Sequence, residues 1–222
     1  MAEVFKLVDP INYLDQLADI PKYIVVSSDD EFMSMDWTNI YYDKLKGEKH
    51  LIIMPNSEHS LATGIYGALS AMGTFIRSLA AGIEKRPQIE YEYNPETGEL
   101  AVSIPEGTIK PSKVALRYAE TFSTVRRDFR WVVETDDFTK LDCKLPYVKV
   151  PQSVETALLA NFHLSIGDGH LCLQPIVWHS KTLESVGVLP NGDTFYHVDP
   201  PKPKDGHWMG YYIEVVFPGD TP

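Results

Sequence analysis

"PKYIVVSSDDEF" (Pro21–Phe32) decides how the first part of the chain folds. Tyr23–Val26 is continuously apolar, without the alternation of a strand that has one face in water. It predicts a strand covered on both faces of a parallel sheet. Ser27 and Ser28 follow, then three acids. Acidic groups at the end of a covered strand are costly unless they are paired or used.

Working outward, "KHLIIMP" (Lys49–Pro55) is a second strand of the same kind. Between the two, Trp37, Ile40, Tyr41 and Leu45 recur at offsets of three and four, predicting a helix capped by Asp36 and ended by Gly47. Upstream, Asp9 and Pro10 look like an N-cap and first helical residue for "INYLDQLA" (Ile11–Ala18). Downstream, Leu61, Ile65, Leu69, Met72, Ile76 and Leu79 mark a long helix to about Gly82. Strand–helix–strand–helix implies a right-handed parallel crossover. Groups that bind or react in such sheets lie beyond the carboxyl ends of the strands. "SSDDEF" (Ser27–Phe32) and "PNSEHS" (Pro55–Ser60) both open onto that rim.

From Arg86-Pro87 the period changes to two. Ile89, Tyr91 and Tyr93 alternate with glutamates, "NPETG" (Asn94–Gly98) turns the chain, and Leu100, Val102 and Ile104 alternate back. Further alternating runs are Val114–Tyr118, Phe129–Val133, Leu158–Ile166 and Met209–Phe217, separated by "LPNGD" (Leu189–Asp193) and "DPPKPKDG" (Asp199–Gly206). The expected architecture is α/β followed by all-β. Residues 1–87 form the α/β part, and 88–222 an antiparallel β-sandwich of at least six strands.

The 222 residues are 44% apolar and 11% aromatic, enough for a core, and carry a formal charge of −11. That acidity argues against nucleic-acid or anionic-membrane partners, which are bound through Lys and Arg. No apolar run approaches the roughly 20 residues of a membrane helix. "MAEVFKLVDP" (Met1–Pro10) lacks the charged-then-apolar pattern of a signal peptide. Cys143 and Cys172 could be a disulfide or two free thiols.

Asp30 and His59, on neighbouring strand ends, suggest the acid and base of a nucleophilic triad: the histidine takes a proton and the carboxylate fixes its tautomer. Asp29 is then a turn residue, with Phe32 and Met33 turning back into the core. The serine of a G-x-S-x-G turn should stand upstream of both, and no such motif occurs. Ser70, in "GALSAMG" (Gly67–Gly73), falls in mid-helix, where small residues allow close packing. Without a nucleophile the acid and base should be inactive alone. "HLSIGDGH" (His163–His170) holds His163, Asp168 and His170, but "IGDG" reads as a hairpin turn. His197-Val198-Asp199 reads as a strand end, so no metal and no cofactor is expected. Tyr211, Tyr212 and Trp208 are aromatic candidates for a protein contact.

"VDPINYLDQL" (Val8–Leu17), "LKGEKHL" (Leu45–Leu51), "PNSEH" (Pro55–His59), "RRDFRW" (Arg126–Trp131) and "HWMGYYIEVVFPG" (His207–Gly219) together resemble the PhoPQ-activated pathogenicity-related family, which includes the autocrine proliferation repressor A type. The resemblance implies the carboxyl-terminal half of an α/β-hydrolase-like protein related to serine peptidases and esterases, followed by an Ig-like sandwich. It makes Asp30 the charge-relay acid and His59 the general base, with the nucleophile in a part missing here. Asp29 stands where the family often has glycine. The resemblance also implies a secreted or extracytoplasmic setting. The expected partner is another protein or the amino-terminal hydrolase half, and self-association through the open edge of strand 22–27 is a further expectation. A non-enzymatic signalling or protein-binding module acting through the β-sandwich is the alternative.

Overall fold

The computed structural model describes residues 2–82, 86–135, 170–173 and 176–219. Mixed helix and strand content is organised in two compact units, residues 1–72 with 130–174 and residues 73–129 with 175–222.

In the first unit, helix α1 (Ala2–Val8) precedes a single 3-10 turn, Pro10–Tyr13. Asp9 caps that turn as its sequence position predicts, its carboxylate accepting the Ile11 N–H at 3.0 Å. The helix ends after one turn rather than running to Ala18. Strands β1 (Lys22–Ser27) and β2 (Lys49–Met54) pair in parallel without stagger, Lys22 beside Lys49 and Ser27 beside Met54. Among the described residues they form a two-stranded sheet. Most of their side chains are half-buried, so the continuous apolar runs are less fully covered than their composition predicts.

The crossover is broken into a 3-10 turn at Met35–Trp37, helix α2 (Thr38–Tyr41) and a second 3-10 turn at Tyr42–Lys44. Ser34, not Asp36, occupies the cap of the first turn; Asp36 lies within it. Gly47 follows at φ +69, and a Cβ there would fall 1.9 Å from the Ala18 carbonyl oxygen, so no other residue fits. Helix α3 (Ile65–Ala80) is the long helix the sequence predicts. Ala68 is its buried contact, while Leu69, Ile76 and Leu79, three of the residues that define its apolar face, are exposed. Strand β6 (Val132–Thr135) pairs antiparallel with β7 (His170–Leu173) in this unit.

The second unit is antiparallel. Strands β3 (Glu90–Tyr93) and β4 (Leu100–Ile104) form the predicted hairpin, joined through Asn94, whose side chain accepts from the Glu96 and Thr97 N–H groups. With β9 (Gly187–Val188) and β10 (Thr194–Val198) they make a sheet in the order β3-β4-β10-β9. Strands β5 (Lys113–Glu120), β8 (His179–Thr182) and β11 (Met209–Val216) make a second, in the order β11-β5-β8. One apolar cluster draws Val102, Ile104 and Tyr196 from the first sheet and Val114, Ile213 and Val215 from the second. Alternation explains this: in each strand the residues between these point to the other face.

A second apolar knot centres on Trp178, which is 2% exposed. Its ring meets Phe129 and Tyr212 at centroid distances of 5.6 and 5.5 Å. Gly210 underlies it, because a Cβ there would lie 2.7 Å from the indole. Cys143 and the alternating run Leu158–Ile166 lie outside the described residues, as do His163 and Asp168. Of Cys172 and His170 only the strand they belong to is described.

Candidate active site

The two loops that leave β1 and β2 are stitched together before any reactive group is placed. Ser27 Oγ donates to the Glu58 carbonyl at 2.8 Å, the Ser28 N–H to the Met54 carbonyl at 3.0 Å, and the Asn56 N–H to Ser28 Oγ at 2.9 Å. The Asp29 N–H donates to the Ser57 carbonyl at 3.0 Å. Ser27, Ser28 and Asp29 are buried, so these bonds are shielded from competing water. Asp29 does lie in the turn, and its carbonyl accepts the Trp131 N–H at 3.2 Å.

On this frame Asp30 and His59 meet. His59 Nδ1 lies 3.0 Å from each carboxylate oxygen of Asp30. The Asp30 side chain is 10% exposed and the imidazole 38%. Asp30 Oδ1 also accepts the N–H groups of Phe32 and Met33, both at 2.8 Å. The same carboxylate thus builds its own loop and holds the ring. With Nδ1–H donated to Asp30, the lone pair of neutral His59 sits on Nε2. Phe32 does not turn into a core; it and Met33 are exposed, and the Phe32 ring packs edge-on against His59 at 4.8 Å.

Two glutamates complete the arrangement, and sequence spacing does not reveal either role. Glu31 accepts the His59 N–H at 3.0 Å. Glu58, 5% exposed, accepts from the Ser60 hydroxyl, from the Ala62 N–H at 2.7 Å and from the Thr63 hydroxyl at 2.5 Å. Burial pushes the Glu58 carboxyl up, but hydrogen bonds from Ser60, Thr63 and backbone N–H groups outweigh it and hold the pKa below the usual value. Stability from such a group is present above the unfolded-state pKa and lost as pH falls through the folded one. Glu58→Gln should therefore loosen residues 56–64 by about 1–3 kcal/mol at neutral pH, because an amide cannot accept at both ends. Hydrogen exchange of that segment checks this. The native loop should also lose protection as the pH falls below the usual carboxylate range, and the variant should lack that pH dependence.

Of the serines nearest in sequence, Ser57 is fully buried with its hydroxyl lacking a hydrogen-bond partner among the described residues, and the others are placed as follows. Ser27 and Ser28 bridge the loops, Ser60 serves Glu58, and Ser70 sits on an exposed part of α3. Two aromatic candidates of the second unit are engaged internally, Tyr212 packing on Trp178 and the Tyr211 hydroxyl donating to the Gly98 carbonyl at 2.5 Å, while Trp208 is exposed.

The family model for PhoPQ-activated pathogenicity-related protein matches residues 1–130, the stretch that carries both loops. The chain belongs to this family. Autocrine proliferation repressor protein A of Dictyostelium discoideum is 30% identical over 223 residues, covering 98% of this chain. The chain spans 37% of that relative's length. No solved structure matches. The matched region of this PhoPQ-activated pathogenicity-related chain includes Asp30, Glu31, Glu58 and His59 together. Among the described residues no helix is long and apolar enough to cross a membrane.

Proposed function

We propose that Asp30 and His59 are the acid and base of a serine-hydrolase-type triad, carried on part of an α/β-hydrolase-like domain and followed by an Ig-like β-sandwich. One observation carries this reading: a half-exposed imidazole whose Nδ1 is held by a nearly buried carboxylate, at the carboxyl ends of two adjacent parallel strands. Asp30 orients the ring and stabilises the imidazolium. His59 Nε2 takes the proton of a hydroxyl as its oxygen attacks an acyl carbon, then returns that proton to the leaving group. The apolar cluster shared by two antiparallel sheets supports the sandwich.

The nucleophile is supplied by chain beyond these 222 residues, so this polypeptide by itself is inactive. Support comes from Ser27, Ser28 and Ser60, whose hydroxyls are engaged within the loops, from Ser57, which is fully buried, and from the greater length of the relative. A fluorophosphonate probe tests both parts. It should leave the 222-residue chain unlabelled and should label a polypeptide of the relative's length that contains these residues. Labelling of the short chain overturns the missing nucleophile, and silence of the long one overturns the hydrolase.

A second reading rests on the relative's name, which describes repression of proliferation: the protein signals by contact, without hydrolysis. His59→Ala separates the two. Signalling that survives this substitution in a growth assay belongs to the contact reading.

A further inference from the structure

We propose that Glu99, His197 and Asp199 form a binding site for a divalent cation of the zinc class on the outer face of the β3-β4-β10-β9 sheet. One ligand atom from each of the three lies within 4.8 Å of the others, and His197 Nε2 is 3.9 Å from Glu99 Oε1.

The placement follows from register. β10 pairs antiparallel with β4, Val198 beside Leu100 and His197 beside Ala101. One further step sets Asp199 opposite Glu99. Tyr196 and Val198 point into the core, so His197 and Asp199 share the outward face with Glu99. Like charges directly opposite on paired strands destabilise a sheet. The same face also carries Glu90 and Glu92, the latter paired with Ala101, the residue beside His197. One imidazole within this acidic surface is the donor set that a zinc-class cation prefers, whereas calcium and magnesium take oxygen ligands alone.

The ligands are also pre-positioned. Thr97 donates its hydroxyl to Glu99 Oε2 at 2.9 Å, which turns Oε1 toward the imidazole. The Phe195 ring stacks on His197 at 6.5 Å with the planes 24° from parallel. The turn ahead of Glu99 is pinned by the Tyr211 hydroxyl on the Gly98 carbonyl. Pro200, next to Asp199, packs so close that a Cβ on Gly98 would lie 3.3 Å from it. A tetrahedral ion with ligand bonds of about 2.0–2.2 Å sets its donors about 3.3–3.6 Å apart, so the present spacing closes by about 1.5 Å of side-chain rotation. Three protein ligands leave at least one position on the ion for water or a further ligand.

Calorimetric titration of the chelator-treated 222-residue chain with Zn²⁺ tests this, with Co²⁺ absorption reporting the imidazole ligand. The expected result is one equivalent bound through this site, with affinity falling at least about tenfold in Glu99→Gln, Asp199→Asn and His197→Ala. Gln and Asn keep the side-chain volume, and circular dichroism confirms that each variant is folded. No Zn²⁺ binding, unchanged affinity in folded Glu99→Gln and Asp199→Asn, or equal affinity for Ca²⁺ overturns the proposal.

Discussion

Asp30→Asn should lower hydrolysis about 10³–10⁴-fold in a polypeptide that presents a nucleophile to His59. The substitution is chosen because Asp30 has two jobs. Its Oδ1 accepts the Phe32 and Met33 N–H groups, and both oxygens face His59 Nδ1. Asn keeps an acceptor for the two backbone donors, so the loop should hold. Its amide N–H₂ then faces Nδ1, which favours the tautomer with the proton on Nε2. That nitrogen can no longer accept a proton from a hydroxyl. The drop should appear in kcat while KM changes little, since the ring's position is kept. His59→Ala should cost as much, and the double variant no more than the worse single one, because the pair acts as a unit. A double loss equal to the product of the two would show that they act separately. Activity retained in Asp30→Asn would remove Asp30 from the mechanism.

The second large effect is on stability. Trp178→Ala should destabilise the second unit by about 3–5 kcal/mol. The indole is 2% exposed, flanked by Phe129 and Tyr212 and seated on Gly210. None of these neighbours can fill the void without moving a strand. A domain of this size has about 5–15 kcal/mol in total, so the melting temperature should fall by more than about 12 °C. Val177→Ala is the control: its side chain is 52% exposed, and its effect should stay within about 0.5 kcal/mol. Urea unfolding followed by near-ultraviolet circular dichroism compares them. Equal midpoints for the two variants would mean that the aromatic knot contributes little.

Much of this was legible in the sequence for definite reasons. Continuous apolar runs flanked by small residues identified β1 and β2, and the rim rule set Asp30 and His59 on adjacent strand ends. The alternation around Asn94–Gly98 identified a hairpin because turn chemistry and period agree there. Other features depend on conformation that spacing does not encode. Glu58 reaches Ala62 and Thr63 only because Asn56 and Leu61 adopt positive φ, at 56 and 59. Asparagine tolerates that conformation readily, but nothing in a leucine announces it. The period of α3 identified an apolar face correctly, but period says nothing of what covers it, and Leu69 and Ile76 are exposed. Asp36 looked like a cap because acids favour that position; the chain entered the turn two residues earlier, at Ser34.

The pairing of β5 with β11 also dictates an order of events during synthesis. Eight residue pairs join Lys113–Glu120 to Met209–Val216. Strand β5 therefore leaves the ribosome about ninety residues before its principal partner, an interval on the order of 10 s at ordinary elongation rates. Throughout that interval its inward residues, Val114, Leu116 and Tyr118, have no β11 to pack beside. Contacts so distant along the chain also make closure of the sheet slow once synthesis ends. The hairpin of β3 and β4 is complete early and cannot hasten it. Until β8 emerges β5 has neither neighbour, whereas β4 pairs early with β3, and β5 is therefore where a chaperone has most to protect.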